Sequence, residues 1–379
     1  MTVRPVRIDQ VIPSIVERDA VSHHTLEGQR VLRSMGYVSE IYACTMGPGL
    51  AGRVHPIGEL PREVRGRQWV CYQASIGSPA ADVVASHPGP KLVNYHNITP
   101  AELVEQWLPH LGDEVRLGRS QLAELAPLSE LGIAVSEFNR RELETAGYGH
   151  SVVAPLMTDA GNHDDLPDPC TLDRLVTAKQ RGGHDWLFVG QQLPHKAHHD
   201  VIKALACARR IHDPDARLHL VGRESSPKYA EALRRFVAEL GLEGAVELAG
   251  SVSPGQLAAY YATADVLVCC SEHEGFCAPL LEAMHHKVPI VAYGVAAVPE
   301  TVLDAGIVLP SKSPVLVATA VARVLADRPL RERLVAAGLE RTREFTIEGA
   351  RAAFAAAVQG ALDAYGDPAP AGSSEHSRS

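Results

Sequence analysis

Short apolar runs alternate with helix-patterned stretches along nearly the whole chain, and this alternation limits the fold more than any other feature. In the first half the strand-like runs are EIYAC (40–44), QWVCYQ (68–73), KLVNYH (91–96), IAVSE (133–137) and SVVAPL (151–156). Helical patterns fall between several of them, at 25–35, 80–86, 114–128 and 139–146. Strands joined by helical crossovers pair in parallel, which predicts an open sheet with helices on its faces. The stretch MTDAGNHDDLPDPC (157–170) interrupts the series, and its Asp, Gly, Asn and Pro content reads as a linker. A second series follows: DWLFVG (185–190), ARLHLVG (216–222), AVELAG (245–250), ADVLVCC (264–270), VPIVAY (288–293) and AGIVL (305–309). Its helices are expected near 197–211, 226–240, 255–263 and 279–286.

Two such series describe an α/β chain of two Rossmann-like, doubly wound domains facing across a cleft, at 1–160 and 161–345. A length of 379 residues suits two domains and is too great for one comfortable core. Ligands of such sheets bind beyond the carboxyl ends of the strands, so the cleft is the expected site. Residues 329–364 have helical spacing, and 346–366 are expected as a helix crossing back to the first domain. The polar, Pro- and Ser-rich segment 367–379 is expected to be disordered.

Composition narrows the function classes. The net charge of −9 is spread without long runs, which argues against a nucleic-acid surface. No run approaches the roughly 20 apolar residues of a membrane span, although peripheral membrane contact stays open. The N-terminal MTVRPVRIDQVIPSIV lacks the apolar core and cleavage site of a signal peptide. Seven cysteines at unpaired spacings argue against a disulfide framework and a zinc site, so cytoplasmic residence is the expectation.

The stretch SEHEGFCAPLLE (271–282) carries the clearest chemistry. An apolar strand runs directly into it, and Pro279 suits the first turn of a helix, where its missing N–H costs nothing. The amides around Gly275, Phe276 and Cys277 then lie at a helix N-terminus, which binds phosphate through free N–H groups and the helix dipole. Gly275 allows close backbone approach. Glu274 and Glu282 need not touch phosphate: Glu282, one turn into the helix, can accept from ribose hydroxyls, and Glu274 from a sugar beyond the phosphates. A nucleoside-diphosphate sugar fits that order. Two exposed glutamates favoured by the helix dipole are the plainer reading of the same pair. Cys277 reads as a small packing residue rather than a nucleophile.

SEHEGFCAPLLEAM resembles the Glu-x7-Glu motif of family 4 glycosyltransferases, retaining enzymes of the GT-B fold. FVGQQLPHKAHHDVIKAL (188–205), LHLVGRE (218–224), VELAGSVSPGQLAAYYATADVLVCCSE (246–272) and VPIVAYGVAAVPETVLDAGIVL (288–309) follow the family's pattern in order. The likeness is good over roughly 185–345 and looser before it. It implies transfer of a hexosyl group from a UDP- or GDP-linked donor to a saccharide, lipid-linked glycan or small metabolite. Retention would follow from a front-face reaction, with no metal and no cofactor. A disaccharide synthase or phosphorylase of the same fold, and a catalytically weak nucleotide-sugar-binding subunit, are the alternatives.

The resemblance assigns roles residue by residue. Lys196 is the lysine that contacts the donor diphosphate, and His96 the histidine near the reacting sugar, so His96, Lys196 and Glu274 form the catalytic set. Donor binding falls to Gly275, Phe276, Cys277, Glu282, Glu300 and the residues around Gln191. Where the family carries an arginine after Gly190, this chain has Gln191, an uncharged amide. Arg223 and Arg18 are candidates to replace that charge. The family's glycine-rich loop corresponds to ERDAVSHH (17–24), placing Asp19, Ala20 and Val21 in an acceptor-side loop. Ser136 and Asn139 are further acceptor-side candidates, although helix capping accounts for Ser136. His195 and His199 have the i, i+4 spacing of metal ligands but lack completing partners, so no metal is expected. Domain closure would assemble these groups.

Overall fold

The computed structural model describes residues 6–17, 19–62, 68–158 and 165–366. Arg18 and the segment 367–379 lie outside the described residues. The chain divides into two compact units, one formed by Met1–Ala101, His110–Thr158 and Ile347–Ser379, the other by Glu102–Pro109 and Asp159–Thr346.

Unit 1 is built on seven parallel strands: β1 (Arg7–Ile15), β2 (Ile41–Met46), β3 (His55–Pro56), β4 (Gln68–Ala74), β5 (Lys91–Tyr95), β6 (Leu131–Ala134) and β7 (Ser151–Val153). Their spatial order is β3-β2-β1-β4-β5-β6-β7, reversing direction between β1 and β4. The crossovers carry α1 (Ala20–Ser34), α2 (Pro79–Ser86), α3 (Pro109–Leu125) and α4 (Glu137–Thr145).

The central strand β1 has no counterpart among the apolar runs read from the sequence. Its residues RIDQVIPSI carry Asp9 and Gln10, both fully buried, and a proline. Burial is tolerated because each polar group finds a partner. Asp9 accepts from Arg7 at 2.5 Å, from Gln68 at 3.1 Å and from the Glu40 amide at 3.0 Å. Gln10 accepts from Gln73 at 2.9 Å and donates to the Thr25 carbonyl at 2.8 Å. Pro13 falls outside the paired register with both neighbouring strands, so it removes no ladder hydrogen bond.

Unit 2 has six parallel strands: β8 (Asp185–Val189), β9 (Arg217–Val221), β10 (Val246–Gly250), β11 (Val266–Cys269), β12 (Ile290–Tyr293) and β13 (Gly306–Leu309). The order is β10-β9-β8-β11-β12-β13, so β8 and β11 are neighbours at the point of reversal. Its helices are α5 (Pro169–Lys179), α6 (His198–Ile211), α7 (Pro227–Glu239), α8 (Pro254–Thr263), α9 (Ala278–His285), α10 (Val298–Val302), α11 (Pro314–Ala326) and α12 (Arg328–Thr342). α5 begins inside the stretch read as a linker, with Asp168 capping the amide of Thr171. Trp186, Phe188, Leu218, Val266 and Val321 are among the residues of one buried core.

The last helix, α13 (Ile347–Tyr365), belongs to unit 1. Its buried residues Ile347, Ala350, Phe354, Val358, Ala361 and Leu362 recur at helical spacing. Phe354 is fully buried in the cluster that also contains Ile8, Leu32 and Trp69. Gly28 makes room for it: a Cβ there would stand 3.6 Å from the Phe354 ring and 2.9 Å from Gln10 Oε1. Phe354→Ala should therefore lower the unfolding free energy by about 3–5 kcal/mol in denaturant titration. A loss below about 1 kcal/mol would mean that this helix contributes little to the core.

Candidate active site

In unit 2 the point where strand order reverses gathers the residues singled out in the sequence. The chain leaving β8 makes a short turn, Pro194–Lys196, and the chain leaving the adjacent β11 makes the 271–277 loop. Because these strands are neighbours, Lys196 Nζ reaches Glu274 Oε1 at 2.7 Å. Both side chains are largely enclosed, with 20% and 8% of their surface exposed. Burial pulls the Lys196 ammonium pKa down, but the Glu274 carboxylate outweighs that and leaves it raised, so the lysine is charged.

The loop is rigidly held. The Glu274 carbonyl accepts from the Ala297 amide at 3.1 Å, and the Phe276 carbonyl accepts from Thr301 Oγ1 at 3.0 Å. The buried Phe276 ring meets Phe345 edge-on at 5.5 Å. Cys277 caps α9 in the left-handed region, with φ of 64° and ψ of 62°. Helix α9 thus starts at Ala278, and Pro279 sits one position further in than expected. Among the described residues, the amides of Gly275, Phe276 and Cys277 have no protein acceptor. Three such N–H groups at a helix start suit an anion.

Glu282 lies on α9, where it accepts from Tyr261 Oη at 2.7 Å. Tyr261 is buried and stacks on His286 with ring centroids 4.9 Å apart. The tyrosine fixes the glutamate's direction, and sequence reasoning passed over it within YYATADVLV. Lys312, in the LPSKSP stretch after β13, was also missed; it bridges Asp200 at 2.6 Å and Glu272 at 2.7 Å. This joins the 271–277 loop to the start of α6.

Gln191 is exposed, and Arg223 and Ser225 approach its Oε1 at 3.4 and 3.3 Å, at the long limit of hydrogen bonding. The two loops lie this close because Gly222 has no side chain: a Cβ there would stand 1.9 Å from the Gly190 carbonyl. Arg223 is therefore beside the uncharged Gln191. Glu300 lies within α10, and its carbonyl accepts from Arg341 at 2.6 Å. His199 approaches Tyr229 Oη at 3.3 Å and Asp200 at 3.6 Å. The ligand-type atoms that cluster among the described residues belong instead to Cys269, Glu274 and Cys277.

In unit 1, His96 follows β5, and its Nε2 lies 2.7 Å from Gln73 Oε1. Gln73 in turn donates to Gln10, so the amide chain from β1 and β4 presents an acceptor to His96. His96 Nε2 therefore carries the proton, and its buried Nδ1 is left as an acceptor without a protein partner. Burial lowers the His96 pKa to about 3, so the ring is neutral at ordinary pH. His24 packs edge-on against it at 4.8 Å and accepts the Met157 amide at Nδ1.

The acceptor-side loop expected around Asp19, Ala20 and Val21 is corrected here. α1 begins at Ala20, and Asp19 is its cap, accepting from the Ser22 amide at 2.9 Å. A capping aspartate starts a helix without glycine. Ser136 caps α4 by accepting from the Asn139 amide at 3.2 Å. Asn139 is fully buried, with both side-chain amide atoms lacking a partner.

Doubly wound parallel sheets with helices on both faces, in two successive units, define the GT-B class of α/β fold. Residues 173–341 match the family model described as "Glycosyl transferases group 1". The D-inositol 3-phosphate glycosyltransferase of Corynebacterium glutamicum is 31% identical over 164 residues, covering 42% of this chain and 39% of that protein. The GDP-mannose-dependent alpha-(1-6)-phosphatidylinositol monomannoside mannosyltransferase of Mycobacterium tuberculosis is 28% identical over 235 residues, covering 59% of this chain and 60% of the relative. The chain thus spans less than two thirds of the length of these relatives. The crystal structure of HepE from Anabaena in complex with UDP and glucose superposes with a TM-score of 0.73 at 17% identity. It covers 93% of this chain and 100% of its own, and it speaks to the fold alone. Among the described residues no helix is long and apolar enough to cross a membrane.

One consequence of burial is measurable. His198, the first residue of α6, is fully enclosed beside Phe188, and burial lowers its pKa to about 3. Below about pH 6.5 the unfolded chain takes up a proton that the folded chain refuses, so stability present above that pH is lost on acidification toward 3. Replacing His198 by Phe should make the fall in unfolding free energy shallower by up to about 1.4 kcal/mol per pH unit. Identical slopes in wild type and variant would contradict this.

Proposed function

We propose that the protein transfers a hexosyl group from a nucleoside-diphosphate sugar to a hydroxyl acceptor, with retention of configuration. The observation that carries the reading is the meeting of Lys196 and Glu274 beneath three unpartnered amides at the start of α9. As the glycosidic bond breaks, the diphosphate gains negative charge. The Lys196 ammonium and the amides of Gly275, Phe276 and Cys277 stabilise it without reorganising, and the step calls for no metal. Lys196 turns from Glu274 toward phosphate, which releases the carboxylate to hold hydroxyls of the donor sugar. Glu282, steadied by Tyr261, accepts from the ribose, and Glu300 is a further donor-side candidate.

His96 offers its neutral Nδ1 to a hydroxyl of the reacting sugar or the acceptor. Both glutamates are used in binding, so a front-face reaction, in which the leaving phosphate takes the acceptor's proton, fits better than a covalent intermediate. UDP or GDP is the proposed carrier, in keeping with the GDP-mannose dependence and the UDP complex named for similar proteins. Asp19, Ala20, Ser136 and Asn139 remain acceptor-side proposals. Seven free cysteines suit a reducing, cytoplasmic setting.

Gln191 favours a second reading, a subunit that binds the donor but turns it over weakly, because it brings no charge to the phosphates. Release of nucleoside diphosphate from a panel of UDP- and GDP-sugars separates the two. Lys196→Ala should slow release by about 10²–10³, the scale of losing one oxyanion donor, and Glu274→Ala should also slow it. Donor binding with turnover indifferent to both changes would overturn the catalytic assignment of Lys196 and Glu274, whereas donor binding without turnover in the wild type would leave the binding subunit. Gln73→Leu should lower kcat and leave the donor KM nearly unchanged, since it frees His96 to take the other tautomer. An unaltered kcat would remove His96 from the mechanism.

A further inference from the structure

Cys269 and Cys277 are eight positions apart, a spacing without a metal signature, yet the fold brings them together. Cys269 ends β11, and the chain then turns so that the left-handed backbone of Cys277 points its thiol back toward the strand end. The two sulfurs and a carboxylate oxygen of Glu274 lie within 4.8 Å of one another, and all three residues are buried. We propose that Cys269, Glu274 and Cys277 form a site for a soft divalent cation of the zinc or cadmium type, and that its occupation shuts the donor pocket.

Three arguments support the site. Zinc takes sulfur at about 2.3 Å and carboxylate oxygen at about 2.0–2.2 Å, so tetrahedral ligand atoms stand about 3.5–3.8 Å apart. The cluster needs a contraction of at most about 1.3 Å, and three protein ligands leave a fourth position open for water. Thiolates select soft ions over magnesium or calcium. The start of α9 and the Lys196 ammonium both favour thiolate over thiol. Binding one cation displaces the two thiol protons to solvent and forms two metal–sulfur bonds.

Cys277 supplies an independent observation. A side chain at φ of +64° is strained where glycine would adopt the same turn at no steric cost. The strain is accounted for if the thiol itself is used.

The consequence for the pocket follows from Glu274. A cation that takes its carboxylate withdraws the oxygens assigned above to the hydroxyls of the donor sugar. Metal and donor then exclude each other. The metal site stands on the cluster alone; the exclusion rests on the function proposed above.

The test uses the full chain, kept reduced by a reductant that does not bind metal, and titrated with Cd²⁺ and with Zn²⁺. One equivalent of Cd²⁺ should produce a thiolate-to-metal charge-transfer band in the ultraviolet. Cys269→Ala, which leaves every donor-binding group in place, should roughly halve the band and weaken binding roughly tenfold or more. Cys269→Ser, checked by its thermal transition, guards against a folding defect in the alanine variant. No band in the wild type, or a band unchanged in both variants, overturns the site. Zn²⁺ should inhibit nucleoside-diphosphate release competitively with donor, and the half-inhibiting concentration should rise by the same roughly tenfold in Cys269→Ala. A normal band with binding of UDP- and GDP-sugars untouched by Cd²⁺ would keep the site and overturn the exclusion, and with it the donor pocket assigned to Glu274. A normal band in a protein that turns over no donor would count against the function and leave the site standing.

Discussion

The Lys196–Glu274 ion pair is the contact on which the candidate site depends. It exists because β8 and β11, separated by two complete strand–helix repeats in the chain, are neighbours where the second sheet reverses order. Taking two charges out of water is expensive, and their attraction returns that cost only with good geometry. The pair is therefore weak evidence of stabilisation and better evidence of placement: each charge keeps the other oriented beside a helix start. An incoming phosphate offers the ammonium a replacement partner, so the charge never has to be left bare. The carboxylate, in exchange, gains hydroxyls.

Unit 1 shows the same economy with neutral groups. Gln10 and Gln73 occupy buried positions on adjacent central strands, where apolar side chains would be the simpler choice. Their amides join end to end and finish on His96. A buried polar chain of this kind is tolerable only when its members are satisfied, and it then specifies one arrangement. What it specifies is the tautomer of a histidine at a strand's carboxyl end. Gly28 belongs to the same arrangement, since any side chain there would press on Gln10.

Much of the fold was legible because periodicity reports burial directly. Eleven of the thirteen strands have a counterpart among the apolar runs; of the other two, the two-residue β3 is too short to make a pattern, and β1 was hidden by Asp9, Gln10 and Pro13. A polar central strand reads as surface until its partners are known, and those partners lie as far away as Gln68 and Gln73. The 271–282 stretch was legible because a strand, a glycine and a helix start are all local features. Tyr261 and Lys312 were not, since each meets the site only through tertiary contact. The pairing of Cys269 with Cys277 is illegible for a related reason: a left-handed turn at Cys277, with no glycine to announce it, brings the thiols together.

A crystal structure of the protein with UDP or GDP bound tests the central claim most directly. A phosphate oxygen is expected within about 3.2 Å of Lys196 Nζ and of at least one amide among residues 275–277, with the Lys196–Glu274 contact opened. A diphosphate bound elsewhere, with that ion pair still closed, would contradict it.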